Sequence, residues 1–248
     1  MLKSITIAIA VTTLMAGAAY AGISAQTGIN GSFHDMNAVA GATDDAMKRT
    51  CVFCHTPHGA QDTNNAPLWN RNTTTFDSGQ YAWKTPTNAP ITILDPLVGP
   101  SRLCMSCHDG SIAYDSHNTS GATAGSVSFG AGSTRKISDL STTHPIGFFY
   151  SDAQTARPGE LVDPATGFIA SPSASLAANA FDTRNRTGLT YSTKKIQDTL
   201  YGGGIMTCAS CHDVHNTVNA KSDTGQTYNY FLYAREEGSA ICLSCHIK

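Results

Sequence analysis

Four copies of one short pattern constrain this chain more than anything else in it. They are Cys51-Val52-Phe53-Cys54-His55, Cys104-Met105-Ser106-Cys107-His108, Cys208-Ala209-Ser210-Cys211-His212 and Cys242-Leu243-Ser244-Cys245-His246. In each, two residues separate the cysteines and a histidine follows the second. All 8 cysteines of the chain fall within these copies. Two copies carry another histidine three positions on, giving His55/His58 and His212/His215.

The spacing has a chemical reading. C-x-x-C-H is the attachment signature of c-type haem. Two thiols add across the two vinyl groups of the macrocycle and form thioethers. Two intervening residues carry the cysteines to the two vinyl edges, and the next residue lies under the iron as proximal ligand. Two rival readings fit less well. Two zinc sites of four thiolates each need no histidine after every pair. Redox-active dithiols need a βαβ setting, which the sequence lacks. The expectation is four haem c groups, held by Cys51, Cys54, Cys104, Cys107, Cys208, Cys211, Cys242 and Cys245. The proximal iron ligands are then His55, His108, His212 and His246.

Of the 9 histidines, five remain for the opposite faces of the irons: His34, His58, His117, His144 and His215. His58 stands about one helical turn beyond His55. Two ligands on one short segment cannot sandwich one iron, so His58 serves a second haem or none. His215 repeats the device after His212. His34, in Ser32-Phe33-His34-Asp35, and His144, followed by Pro145 and apolar residues, are the other two distal candidates. His117 lies in the polar stretch Tyr114-Asp115-Ser116-His117-Asn118 and reads as a solvated loop histidine. Met36 and Met47 are the methionines that could substitute, at higher potential. The expectation is bis-histidine ligation by His34, His58, His144 and His215. It implies low potentials and leaves no open coordination position, which counts against an enzyme.

The N-terminus carries one charge at Lys3, an apolar run from Ile5 to Ala19, and Ala19-Tyr20-Ala21 before Gly22. This reads as a secretory signal peptide over 1–21, with a mature tetrahaem domain over 22–248. An uncleaved anchor is the rival, although the run is short for a span of roughly 20 residues. The protein is expected outside the cytoplasm. Charged residues make up 14% of the chain, against a typical value of about 25%. Net charge is −2 with histidines neutral, so nucleic acid is not a natural partner. Weak colloidal repulsion makes association physically easy.

The expected fold class is mostly irregular coil, with short α-helices and little β, wrapped around a chain of covalently bound haems. Short helices are expected at the four motifs and over Asp44–Arg49. Brief strands are possible at Thr92–Leu94 and Gly188–Tyr191. The Gly- and Ser-rich stretch 121–133 and the mixed stretch 157–182 read as irregular. Loops this long ordinarily weaken a fold, but large apolar macrocycles can stand in for a side-chain core.

The flanks of the motifs carry a family resemblance. Ser32-Phe33-His34-Asp35, Cys51-Val52-Phe53-Cys54-His55-Thr56-Pro57-His58, Pro67-Leu68-Trp69, Cys104 to Gly110 and His144-Pro145-Ile146-Gly147-Phe148 resemble exported multihaem cytochromes of metal-reducing bacteria. The size and motif count are most similar to the tetrahaem outer-surface cytochromes that polymerise into nanowires. The resemblance implies a continuous haem chain with alternately parallel and T-shaped neighbours, all bis-histidine. It implies end-to-end association of copies of this chain, with His58 ligating a haem of the next subunit. It also implies redox partners in the periplasm or outer membrane, with metal oxides or electrodes as final acceptors. The rival functions are a soluble periplasmic electron shuttle and a reductase with one open haem. No block of charge suited to steering a shuttle stands out.

Overall fold

A computed structural model describes residues 29–61, 68–74, 90–119, 127–131, 133–165, 195–215, 231–233 and 239–248. The 1–21 segment, the Gly188–Tyr191 strand and the aromatics Phe76, Tyr81 and Trp83 lie outside the described residues. Among the described residues the chain is mostly coil, with a few short helices and no strand longer than an isolated bridge. No described helix is long and apolar enough to cross a membrane.

The longest helix, α1 (Pro100–His108), contains the second motif. Pro100 opens it, where a backbone N–H has no helical partner in any case. The helix closes as the Asp109 amide donates to Met105 and the Gly110 amide donates to Cys107. Gly110 has φ +77, and an added Cβ there would lie 2.7 Å from the Phe129 carbonyl oxygen. The sequence His108-Asp109-Gly110 is thus a helix stop built on a glycine that no other residue replaces without strain. Helix α2 (Tyr150–Ala156) and the single turn α3 (Ala240–Leu243) complete the α-helices described. Tight 3-10 turns occur at Thr50–Phe53 and Cys208–Ser210, so every motif coils locally, as expected.

Two local expectations are corrected. Asp44–Arg49 is not a helix. The Asp45 carboxylate accepts from the Met47 and Arg49 amides and from the Arg49 guanidinium, and Lys48 sits at φ +55. A short acidic side chain has captured the amides that a helix would have used. Thr92–Leu94 is not a strand. Its one cross-chain backbone bond of this kind is from the Leu94 amide to the Gly147 carbonyl, 2.7 Å.

The side-chain core is divided. One cluster joins Phe148, Tyr150, Ala153, Val162, Ile196, Leu200, Met206 and Tyr233. Met36, Val52 and Phe53 form a second, and Leu97, Met105 and Leu140 a third. The motifs lie at the edges of these clusters, with Val52, Phe53 and Met105 packed inward.

Candidate haem sites

In three of the motifs the backbone repeats one turn. The amide of the histidine donates to the carbonyl of the first cysteine: His55 to Cys51 at 2.9 Å, His212 to Cys208 at 3.1 Å and His246 to Cys242 at 2.9 Å. That turn brings both sulfurs and the imidazole to one side. The same three histidines are each pinned by an isolated antiparallel bridge, with Trp69, Leu232 and Leu161 respectively. Around His55, the Thr56 amide donates to Leu68 and the Asn70 amide to Cys54. Asp213 to Phe231 and Tyr233 to Cys211 repeat this at the third motif. Ile247 to Glu160 and Val162 to Cys245 repeat it at the fourth. The bridging segments went unread in the sequence, apart from Leu68-Trp69. No spacing rule announces a two-residue bridge from a distant loop.

The second and third motifs meet directly, while the first acts on the second and the fourth on the third through charge. Burial pushes the Cys54 thiol up to about 11, with Arg71 opposing and Cys107 and Cys51 adding to the rise. Cys104 donates a hydrogen bond to Cys208, which lowers Cys208 to about 7 and raises Cys104. The Ser101 hydroxyl accepts from the Cys208 amide, tying α1 to the third motif. Cys211 rises to about 12 through burial first, then through Cys245, Cys208 and Cys242. None of the eight cysteines is in a disulfide.

Imidazoles gather opposite the proximal histidines. His34 and His108 have ring centres 6.2 Å apart, His55 and His215 6.3 Å, and His144 and His246 6.4 Å. Two metal–imidazole bonds of about 2.0 Å, with about 1.1 Å from each nitrogen to its ring centre, span about 6.2 Å. The residues therefore fit a six-coordinate iron between each pair. The ring electrostatics agree. His34 is lowered to about 4, by burial first and then by His108, His212 and His215, so it stays neutral, the form that binds metal. Burial, followed by His144, lowers His246. Nδ1 of His108 lies 2.8 Å from the Arg135 carbonyl and Nδ1 of His144 lies 2.9 Å from the Pro145 carbonyl, an arrangement that leaves Nε2 of each ring for a metal. The buried Trp69 Nε1 has no acceptor among the described residues, a donor that an acidic edge of a haem could satisfy.

Six of the eight sequence-predicted histidine ligands stand in these pairs, and His58 is not among them. His58 is exposed. The His215 ring stands 6.3 Å from that of His55, which belongs to a different motif from its neighbour His212. His117 corrects the solvated reading: its side chain is 1% exposed. It packs edge-on against Phe53 at 5.3 Å, and Nε2 is 3.2 Å from Asp45 Oδ1, off the line of a hydrogen bond. Met36 is buried in the second cluster, while Met47 is 70% exposed.

Residues 202–248 match the family model of the doubled CXXCH motif. This motif indicates covalent haem c binding and supports a multihaem c-type cytochrome, a class whose general work is electron transfer. No curated protein matches the chain.

Proposed function

We propose that this protein is a tetrahaem, bis-histidine electron conduit whose copies join end to end into a conductive filament at the outer cell surface. The observation that carries the ligation is the set of three imidazole pairs at 6.2, 6.3 and 6.4 Å. When bound, each haem supplies an iron that exchanges one electron between ferrous and ferric states. Cys51, Cys54, Cys104, Cys107, Cys208, Cys211, Cys242 and Cys245 hold the four macrocycles. His55, His108, His212 and His246 are the proximal ligands, and His34, His144 and His215 are distal ligands to His108, His246 and His55. With an imidazole from each side, the pairs His34–His108, His55–His215 and His144–His246 would hold the iron and exclude substrates from it. The direct contact of the second and third motifs would give those two sites a short path.

His58 is the proposed link between copies. It is exposed, and it projects from the segment that carries His55. A head-to-tail contact that does not close gives a filament. Export through residues 1–21, redox partners in the periplasm or outer membrane, and metal oxides or electrodes as acceptors complete the proposal. The rival is a monomeric periplasmic shuttle.

Cryo-electron microscopy of protein sheared from cells tests the filament. Thin fibres with a continuous haem chain and His58 crossing between copies support the conduit. Discrete particles alone overturn the filament and favour the shuttle. Haem number is checked separately by intact mass after denaturation, where four haems per chain are expected.

A further inference from the structure

The first two haem sites differ in the charges around them. Arg71 is buried, and its Nη1 lies 2.6 Å from Cys107 Sγ in the second site. Its Nη2 donates to the carbonyls of Ala113 at 2.7 Å and Ser116 at 2.6 Å, and to the Ser116 hydroxyl at 3.1 Å. No described carboxylate lies within ion-pair distance of it, and its Nε has no partner among the described residues. Arg71 also acts on the Cys54 thiol, but its direct contact is with Cys107. A guanidinium keeps its charge at every working pH. Held in a dry site by neutral carbonyls, it retains most of its field.

The distal ligands differ as well. In the first site, His215 Nδ1 is 3.4 Å from Asp213 Oδ1, and the Asp213 carboxylate is held in place by the His215 amide at 3.0 Å. A carboxylate on the outer nitrogen makes an imidazole a more basic ligand and favours ferric iron. In the second site, His34 Nδ1 is buried without an acceptor among the described residues. The Asp109 carboxylate acts on Cys107 against Arg71, but it accepts from the Thr74 hydroxyl and from the Ser111 amide and hydroxyl, whereas Arg71 meets only neutral acceptors among the described residues. The cation and the missing acceptor both favour the reduced state of the second site, and the carboxylate favours the oxidised state of the first.

We propose that Arg71 and Asp213 set a step in reduction potential between neighbouring sites, with the Cys104–Cys107 haem the higher. This rests on the haem assignment of the pairs His34–His108 and His55–His215. One electron moving from the first site to the second oxidises one iron and reduces the other, with no proton or further reactant needed. Arg71 is a potential-setting residue, not an iron ligand.

The test is stepwise oxidation of the full-length haem protein, followed by the paramagnetically shifted methyl signals of each haem. Haem content is first measured by mass, so that loss of the haem assignment itself is seen separately. In Arg71→Gln, the electron equilibrium between the two sites is expected to fall about tenfold, a shift of about 59 mV for a one-electron couple. The lowered potential belongs to the Cys104–Cys107 haem, and Arg71→Lys recovers it at least in part. Asp213→Asn raises the potential of the Cys51–Cys54 haem and widens nothing at the second site. With full haem content, an unchanged gap in Arg71→Gln, or an equal fall at all sites, overturns the proposal. If Arg71→Gln does not load haem, Asp213→Asn decides: a narrowed gap supports the step and an unchanged gap sinks it.

Discussion

The Asp45 carboxylate is buried, and it accepts hydrogen bonds from the Met47 and Arg49 amides and from two nitrogens of the Arg49 guanidinium. The bond from Arg49 is the chief reason its carboxyl is held well below the usual range. His117 closes this group from the other side at 3.2 Å. Burial lowers the His117 ring, with Asp45 partly opposing. The folded chain therefore keeps His117 neutral at a pH where the unfolded chain, near 6.5, already binds a proton. Stability is then fully present above about 6.5 and is lost as pH falls toward the lower folded value. Urea unfolding at pH 7 and pH 5.5 checks this: wild type loses stability over that interval, and His117→Gln loses measurably less. His117→Ala, which leaves a cavity beside Phe53, is expected to cost about 1–3 kcal/mol at pH 7.

Gly147 shows how an element is fixed by contacts that its own sequence does not contain. Its amide donates to Met206 at 2.8 Å and its carbonyl accepts from Leu94 at 2.7 Å. Its φ is +81, and an added Cβ would fall 2.6 Å from the Pro96 Cα. Both the backbone conformation and the close approach exclude a side chain. Gly147→Ala is expected to lower stability by about 2–4 kcal/mol, read as a shift in urea midpoint at unchanged slope. Just beyond, Tyr150 is fully buried and its hydroxyl donates to the Val162 carbonyl at 3.0 Å. Tyr150→Phe keeps the ring packing and loses this bond, at about 1 kcal/mol by the same measurement. Val162 in turn donates to Cys245, so this small core acts directly on the fourth motif.

At the scale of the molecule, the three clusters of apolar residues among the described residues are small beside the coil they anchor, whose ordering costs conformational entropy. Covalent macrocycles of the kind the C-x-x-C-H motifs indicate would add apolar surface and cross-link the chain. A chain produced without haem attachment is expected to lack a cooperative unfolding transition and to be cut rapidly by protease, where the loaded protein resists. His58 belongs to this scale too. His58→Ala is expected to abolish filaments while leaving the three intramolecular histidine pairs and their spectra intact. Filaments persisting in that variant would remove His58 from the subunit junction.

The C-x-x-C-H copies are legible in sequence because their chemistry is local: five consecutive residues supply both thioethers and one axial ligand. The His212/His215 offset is local too, and one turn of chain keeps both rings from the two faces of a single metal. The coil-rich fold follows from long polar loops joined to a cofactor signature. The partners of each ring are not local. That His215 faces His55 and His34 faces His108 depends on segments far apart in sequence closing on one another. His117 looked solvated because its neighbours are polar, yet those neighbours bond inward: Asp115 accepts from the Thr43 and Val127 amides, and Asn118 donates to Asn70. Arg71 carries no motif, and only tertiary folding sets its charge against Cys107. The sequence by itself determined the pattern that indicates covalent haem binding, because such attachment needs residues adjacent in the chain. Tertiary structure alone decided which imidazoles pair and which charges flank them, because those distances are set by packing.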